Sequence, residues 1–166
     1  MARLVVKDKK KVLRALAHDL ISTQKRFRIL RELHILYVWR LGDVPEYDDE
    51  GRTIIAATRK LPVRERDIYG YDVEIKVWRD GWKRRNPKAQ RRTMWHELNR
   101  IEVEQGENFS VNKDDDGRII FRLRQHDVVV TTFEDELKKF GLQTRDVSTA
   151  TILSRALKKR KKKRDS

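Results

Sequence analysis

Residues 33–41 read LHILYVWRL, and this stretch sets the centre of the predicted fold. Every second position from 33 to 41 places a large apolar side chain on one face, while Leu36 and Val38 lie on the other. A strand that is apolar on both faces belongs inside a sheet. The stretch DVEIKVW at 72–78 instead alternates apolar with charged residues, which predicts a strand with one buried face, near a sheet edge.

Helix signals flank these strands and predict an α+β fold. A helix is predicted over 9–24, where Asp8 can cap the first turn. Another is predicted to begin at Asn86-Pro87, as cap and first residue, and to end at Gly106. The remaining predicted elements are a strand at 52–60, a hairpin at 109–125, around the DDDG turn, and helices at 132–140 and 147–158.

Composition restricts the class of protein. The 166 residues include 40 Lys or Arg and 26 Asp or Glu, a formal net charge of +14, and 38% are hydrophobic. This hydrophobic content excludes a disordered chain, and the absence of cysteine excludes disulfides and cysteine-ligated zinc. No stretch approaches ~18 apolar residues or resembles a signal peptide, so we expect no membrane span and a cytoplasmic location. One domain over 1–157 and a basic disordered tail over 158–166 are expected.

Residues 94–100, MWHELNR, contain part of a zinc-peptidase motif. In HExxH, two histidines one helical turn apart bind one Zn²⁺, and the glutamate acts on the zinc-bound water as general base. His96 and Glu97 match the first two positions, but Arg100 stands at the second histidine position. At ~100° per residue, His96 lies opposite the apolar stripe of the helix, which fits a site residue and also an ordinary exposed histidine.

Longer segments around this motif follow one another in the order of a known family. They are RILRELHILYVWRLGD, RTIIAATRKL, YGYDVEIKVWRDGWKRRNPKAQRRTMWHEL and LRQHDVVVTTFEDELKKFG. Together they cover roughly residues 28–142 and resemble the putative phage metallopeptidase family, which is regarded as zincin-like. The resemblance implies a small mixed sheet with the motif helix packed on it, a hairpin and C-terminal helices. It also implies a phage protein that works in the cytoplasm of the host cell.

The resemblance implies a role for each matched site residue. His96 and His126 would bind zinc, Glu97 would be the general base, and Asp127 would orient His126. Arg100 cannot replace a histidine, because a guanidinium has no lone pair to offer and repels Zn²⁺. We therefore expect weak zinc binding or none, and impaired or absent peptidase activity.

Alternatives to an impaired protein stay open. One is an active zinc endopeptidase with an unconventional ligand set. The missing ligand would then come from His18, from His34, or from Glu104, which is predicted to lie on the motif helix. Another is a non-enzymatic basic nucleic-acid-binding module whose HE dipeptide is coincidental. In the impaired protein, Arg100 is expected to form an ion pair with Glu97 or a neighbouring acid.

Two basic segments predict a polyanionic partner. The first, here called the helix-edge segment, holds six cations and no acid: Lys83, Arg84, Arg85, Lys88, Arg91 and Arg92. The second, the basic tail, is seven consecutive cations: Lys158, Lys159, Arg160, Lys161, Lys162, Lys163 and Arg164. We expect these segments to bind nucleic acid through its backbone, without sequence readout, or an acidic protein. A solvated face and a solubilising tail are the alternatives.

Overall fold

The computed structural model describes residues 4–48, 51, 53–107 and 110–124. The chain divides into two compact units, Met1–Gln125 and His126–Ser166, and every described residue belongs to the first. The helices predicted at 132–140 and 147–158, and the domain boundary predicted after residue 157, lie outside the described residues.

Short strands and helices alternate along the described part. In chain order they are β1 (Val5–Lys7), α1 (Val12–Thr23), a 3₁₀ helix (Lys25–Glu32), β2 (Ile35–Arg40), β3 (Glu46–Tyr47), β4 (Thr53–Ile54), β5 (Ala56–Lys60), α2 (Val63–Tyr69), β6 (Val73–Trp78), α3 (Arg79–Lys83), α4 (Pro87–Asn99), β7 (Ile101–Val103) and β8 (Phe121–Leu123). The predicted α+β class is confirmed. The sequence prediction missed β1, the 3₁₀ helix, β3, α2 and α3.

A mixed four-stranded sheet forms the centre, in the order β1-β2-β6-β5. Strands β2 and β6 are parallel, and the other pairs are antiparallel. The interior position predicted for β2 is confirmed, but the edge position predicted for β6 is wrong, because β5 covers its other side. The polar face of β6 tolerates this position since Glu74 lies opposite Arg59 of β5, whose Nε donates to Glu74 Oε1 at 3.0 Å.

The other face of the sheet is the buried one. Val73, Ile75 and Val77 of β6 are fully buried, and α4 packs against β5. Each such side chain contributes roughly 1.5–3 kcal/mol by leaving water. Helix α1 packs on α4 and on the 3₁₀ helix. The Phe27 ring of the 3₁₀ helix meets the Trp95 ring of α4 edge to face at 4.6 Å. The motif helix therefore contacts the sheet at β5 and also contacts α1.

The N-terminus of α1 is capped by a buried carboxylate, as the sequence predicts. Asp8 accepts hydrogen bonds from the backbone N–H groups of Val12, Leu13 and Arg14. It also accepts one from Trp39 Nε1 at 3.1 Å, which ties the helix start to β2. The helix itself is shorter than the predicted 9–24.

Helix α4 begins where the sequence predicts but ends earlier. Asn86 Oδ1 accepts from Ala89 N at 2.8 Å, which confirms the cap. The predicted end at Gly106 is wrong: α4 ends at Asn99, and β7 follows immediately. Strand β7 pairs with β8, so its backbone groups bond across a sheet instead of along a helix. The hairpin predicted at 109–125 therefore includes more of the chain, because its first strand begins at Ile101. Lys113 and Ile119 face each other across its turn.

Candidate functional site

The motif residues lie in the last turn of α4, which is buried on most of its surface. Met94 and Leu98 are buried in the core, as the apolar stripe predicts, but Trp95 and Glu97 are buried as well. His96 is half-buried. Because buried residues lie on more than one face of this turn, it does not divide into one apolar face and one solvent-exposed face.

Glu97 is anchored to the sheet. Its carboxylate is 4% exposed, and Oε2 accepts a hydrogen bond of 2.7 Å from the hydroxyl of Thr58 in β5. Thr58 is buried too, at 5% exposure. A short hydrogen bond to an ionised acceptor is stronger than one between neutral groups. Sequence reasoning missed Thr58, because only the position of β5 under α4 brings the two residues together.

Arg100 is the C-terminal cap of α4, immediately before β7. Its backbone N–H donates to Glu97 O at 3.3 Å, and its carbonyl accepts from Arg124 N at 2.8 Å. A cation at this end of a helix interacts favourably with the helix dipole, worth roughly 0.3–1 kcal/mol. Among the described residues no ion pair joins Arg100 to Glu97, so the expected pairing of these two side chains is not found.

The donors in the described part do not fit a catalytic zinc. Catalytic zinc takes three protein ligands, at roughly 2.0–2.2 Å for nitrogen or oxygen. Across residues 4–124, as far as they are described, no group of three His, Cys, Asp or Glu could hold a metal ion. Glu104 lies beyond β7 and not on α4, so its predicted place on the motif helix is wrong. His126 and Asp127 lie outside the described residues.

The helix-edge segment divides into exposed and engaged cations. Arg85 is half-buried and donates to Thr93 Oγ1 at 3.2 Å, and burial, with Arg92 nearby, lowers its pKa. Arg91 forms an ion pair with Asp19 of α1 at 2.5 Å. The exposed members are Lys83, Arg84 and Lys88. About half of the predicted segment thus faces solvent, and the basic tail lies outside the described residues.

Comparison with known families identifies the chain. The family model described as "Putative phage metallopeptidase" matches residues 8–155. The chain belongs to this family. The match begins at the carboxylate that caps α1 and so extends the resemblance beyond 28–142 at both ends. The mixed fold, with the motif helix packed on a small sheet, agrees with the zincin-like fold that the family implies.

Two other comparisons returned nothing. No curated protein and no solved structure matches the chain. In the described residues, no helix is long and apolar enough to cross a membrane.

Proposed function

We propose that this member of the phage metallopeptidase family has lost zinc-dependent catalysis and acts by binding nucleic acid. The loss rests on one observation, the guanidinium of Arg100 at the position of the second zinc ligand. The substitution removes a nitrogen donor and adds a fixed positive charge one helical turn from His96. Zinc-dependent hydrolysis needs both a bound metal and a water that the metal activates, so both requirements fail together.

The environment of Glu97 supports the same conclusion. A general base must reach the water that it activates, within about 2.6–3.2 Å. Here one carboxylate oxygen accepts from Thr58, and the side chain is 4% exposed. This contact makes Glu97 a structural link between α4 and β5. In this structural role the Glu97 side chain does not need a metal ion.

The charge distribution supports a nucleic-acid partner. The net charge of +14 attracts a polyphosphate at long range, and Lys83 at the end of α3, Arg84 after it and Lys88 in the first turn of α4 are exposed. The basic tail adds seven more cations. Backbone contacts of this kind bind without sequence readout, and their strength falls steeply with salt.

Metal analysis of the purified chain tests the first half of the proposal. Dialysed wild-type protein is expected to hold well under one zinc per chain by elemental analysis and to cleave no denatured protein substrate. The variant Arg100→His restores a donor and is expected to retain more zinc than wild type. Arg100→Gln, which removes the charge without adding a ligand, is the matched control and should not gain zinc. One tight zinc in the wild type, lost in His96→Ala, would instead favour the active enzyme.

Salt-dependent binding tests the second half. Filter binding of a labelled oligonucleotide at two salt concentrations should show that affinity falls as salt rises. A plot of log affinity against log salt concentration should have a slope of about −0.7 to −0.9 for each neutralised phosphate. Binding that ignores salt, or no binding at low salt, would remove the nucleic-acid function. Preference for an acidic peptide at equal charge would assign an acidic protein partner instead.

A further inference from the structure

A groove of about 790 Å³ is lined by residues of β1, α1, the 3₁₀ helix, β2 and the end of α2. It lies at the end of the sheet where β1 ends and β2 begins, and α1 forms one wall through Arg14, His18 and Ile21. Five Lys or Arg residues line it: Lys7, Lys9, Lys11, Arg14 and Arg31. None of its lining residues belongs to α4 or to the helix-edge segment. The groove is therefore a surface separate from the degenerate zinc site.

The cations of the groove are available to an anion. All five are exposed, and in the part of the chain that the structure describes none of them forms an ion pair with an acid. Asp8 is the one carboxylate among the lining residues. Both of its oxygens already accept hydrogen bonds from the start of α1 or from Trp39. Five positive charges against this single negative one leave the lining of the groove with a positive balance.

Aromatic rings line the same groove. Tyr69 ends α2 with 62% of its surface exposed, and Gly70, in a left-handed conformation (φ 68°), turns the chain toward Tyr71. The Lys7 ammonium lies 5.6 Å from the centre of the Tyr71 ring. An exposed ring and cations that line one groove are the combination by which proteins hold unpaired bases and their phosphates.

We propose that this groove binds single-stranded nucleic acid, with the cations on consecutive phosphates and Tyr69 stacked on a base. The proposal rests on the nucleic-acid part of the function proposed above and adds the place and the form of the ligand. A duplex would offer the groove its phosphates but not its base faces, which are stacked inside it. The groove volume also lies within the ~300–1,000 Å³ typical of ligand pockets.

Fluorescence anisotropy with a labelled oligothymidylate of twenty nucleotides tests the cation contacts in the full-length protein. The variant Arg14→Gln/Arg31→Gln should bind about tenfold more weakly or worse, and its salt slope should fall by about 1.4, since single strands contribute roughly 0.7 per phosphate. The matched control Arg28→Gln/Arg64→Gln removes the same charge at exposed positions outside the groove. The control should change affinity less than threefold.

Substitution of the exposed ring tests stacking. Tyr69→Ala should weaken single-strand binding by roughly 5- to 160-fold, because base stacking on an aromatic ring is worth about 1–3 kcal/mol. Tyr69→Phe keeps the ring and should bind as the wild type does. Duplex of the same length should be insensitive to Tyr69→Ala. All these positions are exposed, and tryptophan fluorescence of each variant verifies that the fold is unchanged.

Several outcomes would contradict the proposal that the groove binds single-stranded nucleic acid. Equal losses in the groove and control variants, or a Tyr69→Ala variant that binds as well as Tyr69→Phe, would show that the groove makes no specific contact. In that case salt-dependent binding by the wild type would leave the proposed function standing. A wild type that binds no oligonucleotide at low salt, or binds polyglutamate better, would reject both proposals.

Discussion

The hydrogen bond between Thr58 and Glu97 gives the most direct test of a structural role for the motif glutamate. Thr58→Val keeps the shape of the side chain and removes only the hydroxyl. The bond is 2.7 Å long, and both residues are about 5% exposed or less, so water cannot easily replace the lost donor. Hydrogen bonds to charged groups contribute about 1.5–3 kcal/mol, and we expect a loss of about 2 kcal/mol. That loss lowers Tm by roughly 4–8 °C in a chain of this size.

A double-mutant cycle isolates the interaction. Glu97→Leu removes the acceptor, and in that background Thr58→Val should cost little, since two apolar side chains leave neither polar group without its partner. The coupling energy is expected to be about 1–2 kcal/mol. Denaturant unfolding followed by tryptophan fluorescence measures it, because all four tryptophans lie between residues 39 and 95. Thr58→Ser keeps the hydroxyl and is the control.

Additive effects of the two substitutions would contradict this reasoning. A coupling energy under about 0.5 kcal/mol would mean that the Glu97 carboxylate does not depend on Thr58. The structural role would then fail, whatever the metal content of the protein. A Thr58→Val variant that unfolds like the wild type would lead to the same conclusion.

Two further substitutions test the packing around the sheet. Asp8→Ala removes the acceptor for three backbone N–H groups and for the indole of Trp39. We expect the free energy of unfolding from a thermal melt to fall by about 2–4 kcal/mol. A loss under about 1 kcal/mol would show that water replaces the cap. Gly81→Ala places a Cβ against the indole of Trp78 and 2.9 Å from Ile55 Cδ1, so we expect a loss of about 1–3 kcal/mol by denaturant unfolding. An unchanged midpoint there would mean that α3 can shift freely.

Local signals explain why the helix starts could be predicted. The side chains of Asp8 and Asn86 reach N–H groups within six residues of their own positions, so the short sequence around each cap contains the interaction. The end of α4 could not be predicted in this way. Ile101 and Val103 can continue a helix or form a strand, and their pairing with β8, about twenty residues away, decides for the strand.

The interior position of β6 has a similar cause. Its alternating charges are compatible with an edge strand, and the sequence shows no reason to place β5 beside it. The pairing of Arg59 with Glu74 across the two strands makes the charged face compatible with an interior position. Such a contact depends on register, which is a property of two segments together.

Residue identities alone establish the family, the caps of both long helices, the excess of positive charge and the lack of a zinc ligand at Arg100. Each of these depends on residue identity or on contacts within one turn of the chain. The tertiary structure alone decided that Glu97 is anchored by Thr58 and that separate segments form one positive groove with an exposed ring. Those features join residues far apart in sequence, so they exist only after the sheet and its helices have packed together.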